Sequence, residues 1–304
     1  MRGKKIAIVG SGAIGLFYGS KLVSAGCGVH FLMRSGFDLA AREGIRIHSS
    51  TGSLHLERPS IAKTSSGIGP CDGVIVAVKA TSNAALPDLL LPLLGEETWI
   101  LTLQNGLGNE EFLASRHGAE RILGGLCFVC LTRRNPAEVD HLGHGTLSIG
   151  EFEGRSRPRT EGLCQAFLAA GVETHLVENL AGERWRKLVW NVPFNGLCTI
   201  ERGGVDKILN DPVLLNECGC LMAEVRSIAA AEGHDIPPEY AAYQVERTRP
   251  MGCYRPSTLV DAEAGNPLEI EPIWGEPLRR ARAAGIEAPH LAALYEKLKS
   301  IHPL

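Results

Sequence analysis

Apolar residues follow two regimes along the chain. In the N-terminal part, short and largely apolar runs recur at Ile6–Val9, Val29–Met33, Gly73–Val78, Trp99–Leu103 and Leu123–Leu131. Strands buried on both faces of a parallel sheet read this way. Between the first two runs, Leu16, Phe17, Gly19, Leu22 and Val23 fall at helical spacing, and Gly26 and Gly28 end that helix. Ile45–His48 and Ser53–Leu56 predict a small hairpin around Thr51-Gly52. Gly145–Gly150 reads as a further strand, with His141–Gly145 as a turn before it. From about Asn179 the spacing becomes helical, over Ala181–Cys198, Asp211–Glu232, Pro237–Arg249, Gly275–Ala284 and His290–Ser300. Alternating strands and helices followed by helices alone predict an α/β domain over residues 1–178 and an all-helical domain over 179–304.

The first strand runs into Gly10-Ser11-Gly12-Ala13-Ile14-Gly15, which opens the first helix. Strand, glycine turn, helix and second strand within about 30 residues is the context that gives a GxGxxG pattern its meaning. It predicts a Rossmann-like, doubly wound sheet that binds a dinucleotide. Gly10 permits the tight turn, Gly12 lets the backbone approach a pyrophosphate, and Gly15 lets the helix pack on the strand. The helix N-terminus offers its free N–H groups to the phosphates. The second strand ends in Arg34-Ser35, where an NAD site would carry an acid. A guanidinium there pairs with a 2′-phosphate, so the cofactor expected is NADP(H). Lys79 and Asn105 each follow a predicted strand. Ligands gather at the carboxyl ends of such strands, so both are assigned to the cofactor side.

Composition narrows the field. Of 304 residues, 44% are hydrophobic and 21% charged, which fits a globular chain and excludes disordered or fibrous classes. A net charge of −3 gives no general attraction to nucleic acid or to an anionic membrane. No run is long enough to span a bilayer. Nine cysteines, an odd and scattered set with a single Cys127-x-x-Cys130 pair, fit structural thiols in the cytoplasm. The histidines show no metal-ligand spacing, so no metal is expected.

The C-terminal half carries one polar stripe. Lys187, Asn191 and Asn195 recur at i, i+4 and i+8 on a helix that is otherwise apolar. Such a stripe suits a cleft for a polar substrate. Pro193 removes one helix hydrogen bond and is expected to bend the segment before Asn195.

Taken together, the glycine turn, Arg34, Lys79, Gln104-Asn105-Gly106, the Lys187 stripe, Ser257-x-x-x-Asp261 and Glu269-Ile270-Glu271 resemble the ketopantoate reductase family over nearly the whole chain. The resemblance implies NADPH-dependent reduction of 2-dehydropantoate to pantoate, on the way to pantothenate and coenzyme A. It implies Lys187 as general acid, supported by Glu269. Asn191 and Asn195 would then hold substrate oxygens, and Ser257 the carboxylate. The physics agrees, because hydride arriving at a ketone leaves negative charge on oxygen, which an ammonium stabilises and protonates. Two departures from the family pattern, Tyr254 and Trp274, point to a reshaped pocket and keep another branched 2-keto acid open as substrate. A non-catalytic NADP-binding protein is the remaining alternative, one that has no need of Lys187 and Glu269. The expected partner is a small 2-keto acid, and the apolar C-terminal helices offer a surface for a homodimer.

Overall fold

A computed structural model describes residues 1–301. These form two compact units: Met1–Gln104 with Asn109–Leu180, and Asn105–Gly108 with the chain from Ala181 onward. Residues 105–108 thus cluster with the second unit although they follow a strand of the first in sequence.

The first unit is built on a mixed sheet. Its strands among the described residues are β1 (Lys5–Val9), β2 (Gly28–Leu32), β3 (Ile45–Ser49), β4 (Leu54–Leu56), β5 (Ser60–Ala62), β6 (Cys71–Val76), β7 (Leu94–Thr102), β8 (Ile122–Asn135), β9 (Glu138–Glu151) and β10 (Thr174–Leu176). They run in the order β4-β3-β9-β8-β7-β6-β1-β2-β5, with β10 beside β9. The stretch from β5 to β8 is parallel throughout. Helices α1 (Ala13–Ser24), α2 (Phe37–Glu43), α3 (Leu86–Leu90), α4 (Asn109–His117) and α5 (Pro158–Ala169) complete the unit. The central strands are apolar without alternation because both faces are covered: Ile6, Ala7, Ile8 and Val9 of β1 and Val74, Ile75 and Val76 of β6 are all fully buried. From β1 the chain turns outward to β2, whereas β6, β7 and β8 continue the other way. In open α/β sheets such a switch of direction, here between β1 and β6, is where ligands bind at the carboxyl ends of the strands.

The hairpin of β8 and β9 corrects one sequence expectation. His141–Gly145 is not a turn between strands but lies inside β9, paired with Val129–Leu131 of β8. His144 and Gly145 take positive φ of 58° and 127°, and the register shifts here, so the local reversal is a bulge. The pairing persists because the His141 ring is buried, with Nε2 donating to the His144 carbonyl at 2.7 Å and Nδ1 2.9 Å from Ser49 Oγ. The true turn is at Pro136-Ala137, where the Asn135 side chain accepts from the Ala137 N–H at 2.8 Å.

The second unit is helical: α6 (Leu180–Glu201), α7 (Val205–Asn210), α8 (Pro212–Ala231), α9 (Pro238–Thr248), α10 (Ser257–Glu263), α11 (Glu276–Ala283) and α12 (Pro289–Ile301). Asp211 caps α8, accepting from the Val213 and Leu214 N–H groups at 2.8 and 3.2 Å, with Pro212 in the first turn where no N–H is needed. The core gathers Trp185, Leu188, Val192 and Phe194 of α6 against Leu221, Val225 and Ile228 of α8 and Leu291 and Leu294 of α12. Pro193 does not interrupt α6, which runs unbroken to Glu201. A single missing hydrogen bond is tolerated there because the surrounding residues of the helix are buried and packed. Before α11, Glu271–Gly275 forms one turn of π-helix.

Candidate functional site

The glycine turn lies at the carboxyl end of β1, and each glycine meets a different constraint. Gly10 has φ of 107°, and a Cβ there would overlap the Ala77–Val78 peptide that follows β6. Gly15 sits where a Cβ would overlap the Gly10 carbonyl and press on Ile8 at 3.0 Å. Gly12 caps the N-terminus of α1 without any side-chain cap, and a Cβ on it would meet nothing within 4 Å. The N–H groups of Ala13, Ile14 and Gly15 open the helix there. Close packing behind the turn and open space before it are what a dinucleotide pyrophosphate requires. Ser11 Oγ donates to the Leu32 carbonyl at 2.9 Å, fastening the turn to the end of β2. Arg34 follows that strand, exposed, and makes no ion pair or side-chain hydrogen bond among the described residues. Lys79 is half-buried just beyond β6 and caps the short 3₁₀ segment Ala80–Ala85.

Beyond β7 a chain of side chains went unseen in the sequence. Thr102 Oγ1 donates to Gln104 Oε1 at 2.9 Å, Gln104 Nε2 donates to Asn83 Oδ1 at 2.7 Å, and Asn83 Nδ2 donates to Asn109 Oδ1 at 3.0 Å. Gln104 and Asn109 are buried, so the chain is a fixed polar network behind the strand end. Gln104 belongs to the Gln104-Asn105-Gly106 motif, but Asn83 and Asn109 carry no motif of their own.

In the second unit, α6 carries Lys187, Asn191 and Asn195 on successive turns. Lys187 is half-buried, and its Nζ donates to Asn105 Oδ1 at 2.8 Å. Asn191, one turn on, is only 7% exposed, yet its side chain makes no hydrogen bond among the described residues. The amide atoms are not sealed from solvent, so they are open to a hydrogen bond from a ligand. Asn195 is 3% exposed, and its Oδ1 accepts from the Thr258 N–H at 3.3 Å, holding the start of α10 where Ser257 lies exposed. Glu269 is half-buried ahead of the π turn.

Trp274 does not narrow a pocket, contrary to the sequence expectation. It is fully buried in the core of the helical unit, with Nε1 donating to the Val192 carbonyl at 3.0 Å. Gly196 on α6 leaves room for Leu294 and for the edge of the indole, which a Cβ would approach to 2.6 and 3.1 Å. Tyr254 is half-buried with its ring 6.4 Å from that of Trp190.

Comparison with known proteins settles the family. Residues 6–154 match the description "Ketopantoate reductase PanE/ApbA" and residues 179–302 match "Ketopantoate reductase PanE/ApbA C terminal". The chain belongs to the ketopantoate reductase family. A 2-dehydropantoate 2-reductase of Nostoc sp. is 36% identical, over 98% of this chain and 95% of its own length. The crystal structure of a 2-dehydropantoate 2-reductase from Geobacter metallireducens is 42% identical, with a TM-score of 0.95 over 97% of this chain and 99% of that one. A D-mandelate dehydrogenase solved with NADH and anilino(oxo)acetate has the same fold, with a TM-score of 0.90 at 23% identity over 98% of each chain. This chain is therefore an oxidoreductase of the ketopantoate reductase family. Among the described residues no helix is long and apolar enough to cross a membrane.

Proposed function

We propose that this protein reduces 2-dehydropantoate to pantoate with NADPH, in the cytoplasm. The observation that carries the reading is the stripe on α6: a lysine held by an asparagine oxygen, followed one turn later by a buried Asn191 whose amide has no protein partner among the described residues. A packing helix has no use for that arrangement, and a 2-keto acid has matching oxygens.

When bound, the cofactor supplies the hydride. Gly10 to Gly15 hold its pyrophosphate at the N-terminus of α1, Lys79 serves the ribose side, and Arg34 with Ser35 holds the 2′-phosphate. The absence of an acid after β2 supports NADPH over NADH. Lys187 stabilises negative charge on the keto oxygen and donates the proton from Nζ. Asn105 accepts one of the Lys187 hydrogens and so limits where the others point. Asn191 donates its amide to a substrate oxygen, Ser257 donates its hydroxyl to the carboxylate, and Glu269 accepts from the substrate hydroxyl. Asn195 keeps α10 in place beneath Ser257 and closes the stripe.

The test is loss of NADPH absorbance on adding 2-dehydropantoate, with NADH and other branched 2-keto acids run in parallel. Rapid turnover selective for NADPH and 2-dehydropantoate is expected. Faster turnover of another keto acid would reassign the substrate and leave the chemistry in place. NADPH binding with no turnover of any keto acid would overturn the reading in favour of a non-catalytic protein.

A further inference from the structure

The carboxylate of Glu271 is held from two sides. Tyr295 donates to Oε1 at 2.6 Å, and Arg279 donates to Oε2 at 2.6 Å. Arg279 also binds Glu276 at 2.7 Å, Arg280 joins Glu276 to Glu232 at 3.0 Å each, and Glu232 accepts from Trp185 Nε1 of α6 at 3.1 Å. Each of these ion pairs is partly exposed and worth little singly. Together they brace one turn of backbone against α6 and α12. That turn is the π segment Glu271–Gly275, in which the Glu276 N–H returns to the Glu271 carbonyl. The Glu271 carboxylate lies directly over Gly275, where a Cβ would collide with it. Single π turns inside helices gather at functional sites.

The braced turn has one further contact. The Pro272 carbonyl accepts from the Leu107 N–H at 2.8 Å. Gly106, at φ of 84°, packs so closely on Pro272 that no side chain fits. Asn105, whose Oδ1 receives Lys187 Nζ, is the residue next to this clamp.

We infer that Glu271 is a positioning residue for Lys187: braced by Tyr295 and Arg279, it fixes the Glu271–Gly275 turn, whose Pro272 carbonyl anchors the Asn105–Gly108 loop and so aims Asn105 at the lysine. The inference rests on the reading of Lys187 as proton donor. It makes the loop's geometry depend on a carboxylate whose two oxygens are held by Tyr295 and Arg279.

The experiment compares E271A, N105A and the double variant, with K187A as reference. Four quantities are measured: kcat with NADPH and 2-dehydropantoate, NADPH affinity, thermal midpoint, and hydrogen exchange at the Leu107 amide. E271A is expected to lower kcat about tenfold to a hundredfold, in the range that small misplacement of a reacting group costs. NADPH affinity should hold, and the Leu107 amide should exchange faster. The double variant should be no slower than N105A alone, because both act through one contact. Unchanged exchange at Leu107, or additive losses in the double variant, overturns the inference. If E271A does not fold, Y295F removes one side of the brace at nearly constant volume and must show the same pattern, weaker. A K187A enzyme of undiminished kcat would sink the proton-donor reading instead, and Leu107 exchange in E271A would still report on the clamp.

Discussion

Gly15 of α1 packs against the carbonyl of Gly10 so tightly that no side chain fits between them, whereas Gly12, midway between the two, faces open space. The same motif therefore holds one glycine that the fold requires and one whose open space the proposed function gives to the pyrophosphate. G15A should lower the thermal midpoint sharply, since overpacking at a rigid backbone contact costs about 1–3 kcal/mol or more. G12A should melt like the wild type and lose NADPH affinity, because its new methyl occupies space meant for the phosphates. Thermal melts and cofactor titration of the two variants, side by side, check this. Equal losses of stability would refute the assignment.

Arg34 stands exposed after β2 without an ion-pair partner among the described residues. Charge-assisted hydrogen bonds to a phosphate are worth about 1.5–3 kcal/mol, so R34A should raise the KM for NADPH about tenfold to a hundredfold. The KM for NADH should barely move. If both cofactors weaken alike, Arg34 is a structural residue and not the reader of the 2′-phosphate.

On α6, K187A should remove proton donation while Asn191 removal weakens substrate binding. General acid catalysis contributes about a hundredfold to ten-thousandfold, and K187A should lose kcat by that amount with NADPH still bound. N191A should act mainly on the KM for the keto acid. Removing an amide without a protein partner should also leave the melting point unchanged or slightly raised. A large fall in stability would show that Asn191 is satisfied within the protein.

What the sequence disclosed follows from how local each signal is. The glycine turn, the parallel strands and the Lys187 stripe are short-range patterns, set by backbone sterics and by helical periodicity, and all are visible before folding. Asn83 and Asn109 escaped because their partnership with Gln104 is made only when separate segments meet at the end of β7. His141–Gly145 misled because glycine and histidine are common in turns, while pairing with Val129–Leu131 is a long-range fact. For Trp274, a motif position gives proximity to the site in sequence but not the direction in which the side chain points. Its indole is fully buried in the core, beside Leu294 and Gly196.

The Glu271 brace also sets a pH dependence. Burial raises the carboxyl pKa of both Glu271 and Glu276, but hydrogen bonds from Tyr295 and Arg279 to the first, and from Arg279 and Arg280 to the second, outweigh it and hold both below the usual value. A carboxyl depressed in the folded state favours folding above its unfolded pKa and loses that contribution as pH falls through the folded value. Stability should therefore decline below about pH 4.5, and the gap between wild type and E271Q should be widest near neutrality and close in acid. Tyr295 behaves oppositely: burial and the Glu271 carboxylate push its phenol up to about 12. The neutral phenol then favours folding until pH rises past about 10, and Y295F should abolish that alkaline loss. Denaturant unfolding across the pH range measures both limbs. A gap between wild type and E271Q that stays constant in acid would mean the brace carries no net charge coupling.

Trp274 supplies the sharpest separation of core from pocket. Its ring is fully buried among apolar residues and its N–H is spent on the Val192 carbonyl. W274F keeps an aromatic ring but leaves a gap and removes that hydrogen bond, which together should cost about 1–3 kcal/mol of stability. Because the indole presents no surface to solvent, the ranking of 2-keto acids by kcat/KM should be unchanged. Urea midpoints combined with a substrate panel test both halves. A variant that keeps its stability and gains activity on bulkier keto acids would return Trp274 to the pocket wall. Loss of stability with an unaltered ranking fixes it as a packing residue and leaves substrate choice to the residues around Asn191 and Ser257.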